Sequence, residues 1–215
     1  MKLQDQILDL IFPPKCPFCR KILPHFQAEC TECTLPETKD TGDTIFQTRD
    51  GLTCVSPLWY QDTVATAIKR YKFSGAKHYA PCFAAMMANA TENMGEFDYV
   101  TWVPLAKVRQ RSRGYNQAEL LAREVTKQKG FVPESLLEKI KNNPAQTSLK
   151  SDEEREENTK DVYQLKKIVP ELQNTRILLV DDVVTTGSSL YASGKILLEA
   201  GVKELVCLTF ARSRK

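Results

Sequence analysis

The sequence predicts an α/β fold: a mostly parallel sheet covered on both faces by helices, preceded by a small amino-terminal module. Three observations predict it. Strand-like and helix-like segments alternate from residue 52 to the end. The run ILLV at 177–180 is apolar without interruption, as a strand buried on both faces must be. Four of the seven cysteines fall in two C-x-x-C pairs near the start.

At 215 residues the chain can bury a hydrophobic core of one main domain with a small appendage. A net charge of +3 is too modest to imply nucleic-acid binding by the whole surface, so any such role needs a local patch. The opening MKLQDQILDLIFPP carries Asp5 and Asp9 and lacks the apolar core of a signal peptide. No run reaches the length of a membrane span. A cytoplasmic chain with reduced cysteines is expected, except where cysteines hold metal.

Taken in order, CPFC (Cys16, Cys19) and CTEC (Cys30, Cys33) come first. Two residues between thiolates let one turn aim both sulfurs at a point, and a second turn completes a tetrahedron for structural Zn²⁺. Too few large apolar residues surround them to fold unaided, so metal supplies folding energy. His25 lies between the pairs, but four thiolates leave it no position. Residues 35–51 are polar and suggest a linker or a poorly packed hairpin, which divides the chain into a zinc module with linker, 1–50, and a main domain, 51–215. LTCVSPLWY reads as a strand, TVATAIKRYKF as a helix capped by Asp62, HYAPCFAAMMANA as a helix and DYVTWVP as a strand. NQAELLAREVTKQKG reads as a helix with a capping-box-like start, Asn116 and Glu119, and Gly130 as its stop. Ser151 with Glu154 makes a second such box. The strand ILLV, a helix from Ser188 to Ala200 and the strand ELVCLTF close the chain. Cys54, Cys82 and Cys207 lie in apolar segments and are expected as buried thiols.

The stretch RILLVDDVVTTGSSL carries the chemistry. If Ile177–Val180 is a central strand, Asp181 and Asp182 stand at its carboxyl end, where open α/β sheets bind ligands. Successive side chains of an extended strand point to opposite faces, so one carboxylate can meet a ligand while the other engages the surroundings. Thr185, Thr186, Gly187, Ser188 and Ser189 then lead into a helix whose N-terminus, with their hydroxyls, suits a phosphate. Carboxylates for sugar hydroxyls beside a phosphate nest are what a ribose 5-phosphate needs. No G-x-x-x-x-G-K-[ST] and no G-x-G-x-x-G occur, and Gly194-Lys195 falls mid-helix. With only His25 and His78, a Ser-His-Asp site has almost no candidates.

ILLVDDVVTTGSSL resembles the phosphoribosyl pyrophosphate (PRPP) signature of type I phosphoribosyltransferases. WVPLAKVRQRSRGYNQAELLA (102–122), followed by Gln146, Arg155 and Asn158, resembles the ComF branch, the competence-related proteins of bacteria, which also carries the four-cysteine module. Tyr163 departs from that branch, where phenylalanine is usual. The resemblance implies a type I phosphoribosyltransferase-like sheet with a zinc-ribbon-like module. It implies that Asp181 and Asp182 contact the ribose hydroxyls and that Thr185, Thr186, Gly187, Ser188 and Ser189 hold the 5-phosphate. Pro104, Leu105 and Lys107 belong to its pyrophosphate loop, with Arg113 joining the acids in catalysis. Mg²⁺ enters with PRPP. The implied chemistry is pentosyl transfer, a substitution at C1′ with pyrophosphate leaving. The acceptor is not named by the sequence. The resemblance equally implies natural competence and DNA uptake, so a non-enzymatic factor handling single-stranded DNA at the inner face of the membrane, with the uptake machinery as partner, stands as the second reading.

Lys107, Arg109, Arg111 and Arg113 recur at every second residue. In an extended loop all four would share one side, as a lid over pyrophosphate or a track for the phosphates of a single strand. Tyr115, beside them, is the aromatic expected to stack on a base.

Overall fold

The computed structural model describes residues 13, 15–23, 30, 32–127, 132–140 and 162–214. Gly130, Gln146, Ser151, Glu154, Arg155, Asn158 and His25 lie outside them. The strands are β1 (Ile45–Gln47), β2 (Thr53–Val55), β3 (Leu58–Trp59), β4 (Tyr99–Trp102), β5 (Leu137–Lys139), β6 (Tyr163–Leu165), β7 (Arg176–Val184) and β8 (Glu204–Arg212). The helices are α1 (Asp62–Phe73), α2 (Ala80–Ala90), α3 (Lys107–Arg113), α4 (Gln117–Lys127) and α5 (Ser188–Glu199).

The main sheet runs β1-β2-β8-β7-β4, with β3 also pairing β8. Every pairing in it is parallel except the β1–β2 hairpin. A separate antiparallel ribbon joins β5 and β6. Central β7 is buried from Ile177 to Val180, which explains its unbroken apolar run. Leu178 and Val180 face one core with α1, α2 and α4; Ile177 and Leu179 face the other with α5 and the ribbon. Gly194 lets α5 lie close on the sheet, because a Cβ there would meet Leu205 Cδ2 at 2.8 Å.

Several expected boundaries move. β7 does not stop at Val180 but continues through both aspartates to Val184, since β8 offers ladder partners as far as Arg212. The single strand expected at 52–60 is two short ones. Pro57, which has no N–H for the ladder, separates them. Of the linker or hairpin expected at 35–51, residues 45–47 form the arm of a hairpin: β1 pairs β2 antiparallel across the expected 50/51 division, so the main sheet begins before it. Asp62 starts α1 from within, the cap position being Gln61. Asn116 Oδ1 does accept the Ala118 N–H at 3.0 Å, but Glu119 turns to Arg123, so the capping box is half made. Cys54, Cys82 and Cys207 are buried, as expected.

The cysteine module shares the main core. Phe18, between Cys16 and Cys19, packs its ring 6.1 Å from Phe83 and 6.4 Å from Phe210.

Candidate functional site

Two groups of residues carry chemistry. The first is the cysteine cluster. Cys16 Sγ lies 3.6 Å from Cys33 Sγ and Cys19 Sγ 3.7 Å from Cys30 Sγ, and all four sulfurs fall within 4.8 Å of one another. The turn that aims the first pair is closed by Arg20 N–H donating to the Cys16 carbonyl, with Arg20 at φ 68°. A hydrogen bond from the Lys21 backbone pulls the Cys19 thiol down to about 7, while burial pushes Cys33 up. Four thiolates converging from two turns fit a tetrahedral cation such as Zn²⁺ and leave no fifth protein ligand to seek.

The second group lies at the carboxyl edge of the main sheet. The strand pleat sends the two aspartates to different surroundings. Asp182 is buried against α1 and α3, and its Oδ1 pairs with Lys72 Nζ at 2.8 Å. Burial works against the Lys72 ammonium, but the Asp182 charge and hydrogen bond outweigh it and hold its pKa above the ordinary lysine value. Asp181 stands on the ribbon side near Lys139 and Tyr163. Burial first, then the neighbouring Asp182 charge, push its carboxyl up to about 7. Lys139 Nζ donates to the Tyr163 hydroxyl at 3.4 Å, and burial lowers its own pKa. Burial likewise raises Tyr163, to about 12.

The phosphate-type turn follows directly. Thr185 and Thr186 are exposed, and Thr186 Oγ1 lies 3.0 Å from Ser188 Oγ. Gly187 caps α5 at φ 85°, and Thr48 from the β1–β2 turn lies 3.5 Å from where its Cβ would stand. A side chain there would meet both backbone strain and the hairpin. At the start of α5 the Ser188 N–H donates to Thr186 Oγ1 at 3.4 Å, and the backbone N–H groups of a helix N-terminus suit a phosphate.

Pro104 and Leu105 continue β4 beside the acids. Val103 N–H donates to the Val180 carbonyl at 2.9 Å and Asn116 Nδ2 donates to the Val103 carbonyl at 3.1 Å, which pins the 103–106 loop between strand and helix. The residues after it correct the expected extended comb. Lys107–Arg113 is a helix, ended by Gly114 in the left-handed region at φ 80°. At 3.6 residues per turn the four cations divide into two pairs, Lys107 with Arg111 and Arg109 with Arg113. Arg113 feels the Asp182 charge, and Arg109 bears on Lys139 and Tyr163, so the second pair straddles the acids.

Tyr115 is also corrected. It is buried, with its hydroxyl donated to the Tyr71 carbonyl, and cannot stack on a ligand. An exposed aromatic is Phe73, 73% accessible, with the Arg113 guanidinium 4.9 Å above its ring. Lys72, Phe73 and Lys139 were not found by sequence reasoning. Each lies in an ordinary-looking helix end or strand; only packing brings Lys72 and Lys139 to the acids and Phe73 under Arg113.

The phosphoribosyl transferase domain model matches residues 108–215, half of the chain. Competence protein F of Haemophilus influenzae is 27% identical over 208 residues, covering 93% of this chain and 85% of that protein. Competence protein ComFC of Streptococcus pneumoniae is 26% identical over 210 residues, covering 97% and 85%. The DNA utilization protein YhgH of Salmonella typhimurium is 26% identical over 196 residues, covering 86% and 85%. Among solved structures, the purine phosphoribosyltransferase from Pyrococcus horikoshii Ot3 aligns over 63% of this chain and 73% of its own at a TM-score of 0.37 and 15% identity, too loosely to bear on function. No described helix is long and apolar enough to cross a membrane. With its parallel sheet, its acid pair and glycine turn on β7 and α5, and its four-cysteine cluster, the chain belongs to the phosphoribosyl transferase domain family, among the relatives named competence protein F, ComFC and YhgH.

Proposed function

We propose that the carboxyl edge of the sheet binds PRPP with Mg²⁺ and supports transfer of its phosphoribosyl group to an acceptor. The carrying observation is the union, on one strand–turn–helix, of the Asp181–Asp182 pair with the Thr185–Ser189 turn at the α5 N-terminus. In this reading the acids accept the ribose hydroxyls. The turn holds the 5-phosphate, and the pinned 103–106 loop with Arg109 and Arg113 receives pyrophosphate. The acids, threonines and serines offer oxygen and no thiolate or imidazole, which suits a hard cation carried by the substrate. Mg²⁺ would neutralise charge on the departing pyrophosphate. The chain's own part is to fix C1′ and to place cations where leaving-group charge grows. Calorimetry tests it. Wild type should bind Mg-PRPP, and Asp182→Asn and Thr186→Val should each lower the affinity about tenfold. Equal binding by all three would remove the site.

A second reading, single-stranded DNA handling, draws on the relatives' names and on one observation. Lys107, Arg109 and Arg111 are exposed along α3, whose Arg113 lies over the exposed ring of Phe73. Cations next to an aromatic platform suit a strand of nucleotides. The two readings can share the molecule.

A further inference from the structure

We propose that Lys72 is a positioning residue of this site, gripping the Asp182 carboxylate through Oδ1 and so aiming it at the ribose hydroxyls; the assignment rests on the PRPP reading above. α1 turns Val64, Ala67, Ile68 and Tyr71 into the core, and Lys72 follows at the helix end with its ammonium on Asp182. Asp182 is 8% exposed and adjoins a second carboxylate, so water cannot stabilise its charge. The groups facing it are Tyr71 and Lys72 from α1, Arg113 from α3, Tyr115 from the turn after α3, and Asp181 on its own strand, with Tyr60 near Lys72.

Most of these are engaged elsewhere. Arg113 Nη1 donates to Gln117 Oε1 at 2.5 Å, and its guanidinium lies on Phe73. The Tyr71 hydroxyl donates to the Gln117 carbonyl and that of Tyr115 to the Tyr71 carbonyl. Among the described residues, Lys72 makes the ion pair with Asp182, through Oδ1. A carboxylate accepts through both oxygens, so Oδ2 can take a hydroxyl while Oδ1 stays paired. Removing the ammonium leaves the buried carboxylate without its ion-pair partner, free to rotate and lose the sugar contact.

A double-mutant cycle separates action through Asp182 from any direct role. Mg-PRPP affinity is measured by calorimetry on wild type, Lys72→Met, Asp182→Asn and the double variant. Lys72→Met should lower affinity about tenfold in the wild-type background and cause almost no further loss in the Asp182→Asn background. Lys72→Arg should restore most of the affinity. Mg-pyrophosphate, which has no ribose, should bind wild type and Lys72→Met alike. Additive losses, an unaffected Lys72→Met, or a matching fall in pyrophosphate affinity would overturn the assignment and leave the PRPP reading intact. A wild-type protein that binds no PRPP removes that reading and this assignment together. Should the methionine variant not fold, Lys72→Gln takes its place in the cycle.

Discussion

Burial, followed by the charge on Asp182, lifts the Asp181 carboxyl from its ordinary 3.8 to about 7. The folded chain therefore keeps a proton that the unfolded chain has already lost over that interval. This contribution to stability is complete below the ordinary value and disappears as pH rises through the folded one. The thermal midpoint of the ligand-free protein should fall between about pH 4 and about pH 7 on this account. Asp181→Asn should remove that part of the slope and melt higher than wild type at the alkaline end. A scanning-calorimetry series in which the two proteins keep parallel profiles would mean that Asp181 ionises normally. Its neighbour Asp182 points to the other face of β7, where Lys72 pairs with it. Adjacent, identical residues thus acquire different surroundings from the pleat, a distinction the letters DD do not carry.

At the level of elements, α3 shows how one spacing admits two structures. Cations at every second position are one face of a strand, and they are also two i,i+4 pairs of a helix. Gly114 in the left-handed region and the Gln110 N–H bond to the Ala106 carbonyl decide for the helix. Arg109 and Arg113 turn to the acids. Arg111 is exposed on the other pair. Arg109→Ala/Arg113→Ala should cost about tenfold or more in Mg-PRPP affinity, and Arg111→Ala clearly less. If the helix also tracks DNA, each cation removed should flatten the dependence of single-strand binding on salt by about 0.7 per phosphate contact. Filter binding across a salt series, run beside calorimetry on the same samples, measures both. Equal PRPP losses in the two variants would deny the division of the helix into faces.

Across the whole molecule, the cysteine module and the sheet share one core. Phe18 sits between two cluster cysteines in sequence and packs beside Phe83 and Phe210, which stack on each other at 4.0 Å, and Phe210 lies on the strand beside β7. Elemental analysis should find about one zinc per chain in protein purified without chelators. Cys30→Ser should then lower the melting temperature of the whole chain by about 5 °C or more rather than loosen the module alone. A two-step melt, with the upper transition unchanged, would show a module that unfolds independently of the sheet.

What the sequence determined by itself was whatever local chemistry dictates. Ile177–Val180 had to be a buried strand because no face of it tolerates water. Gly187 marks the turn before α5, and paired C-x-x-C turns bring sulfurs together across a short stretch of chain. The same locality left the acid pair and the phosphate-type turn legible, since they lie within nine consecutive residues. Contacts between distant segments were decided only by tertiary structure. Lys72 reaches Asp182 across 110 positions because α1 packs on the sheet beside β7. Tyr115 is withdrawn from any ligand because its hydroxyl satisfies a carbonyl of α1, and β7 extends past its acids because β8 runs alongside it. Packing, not propensity, sets these, and packing energy belongs to pairs of segments that the sequence never places side by side.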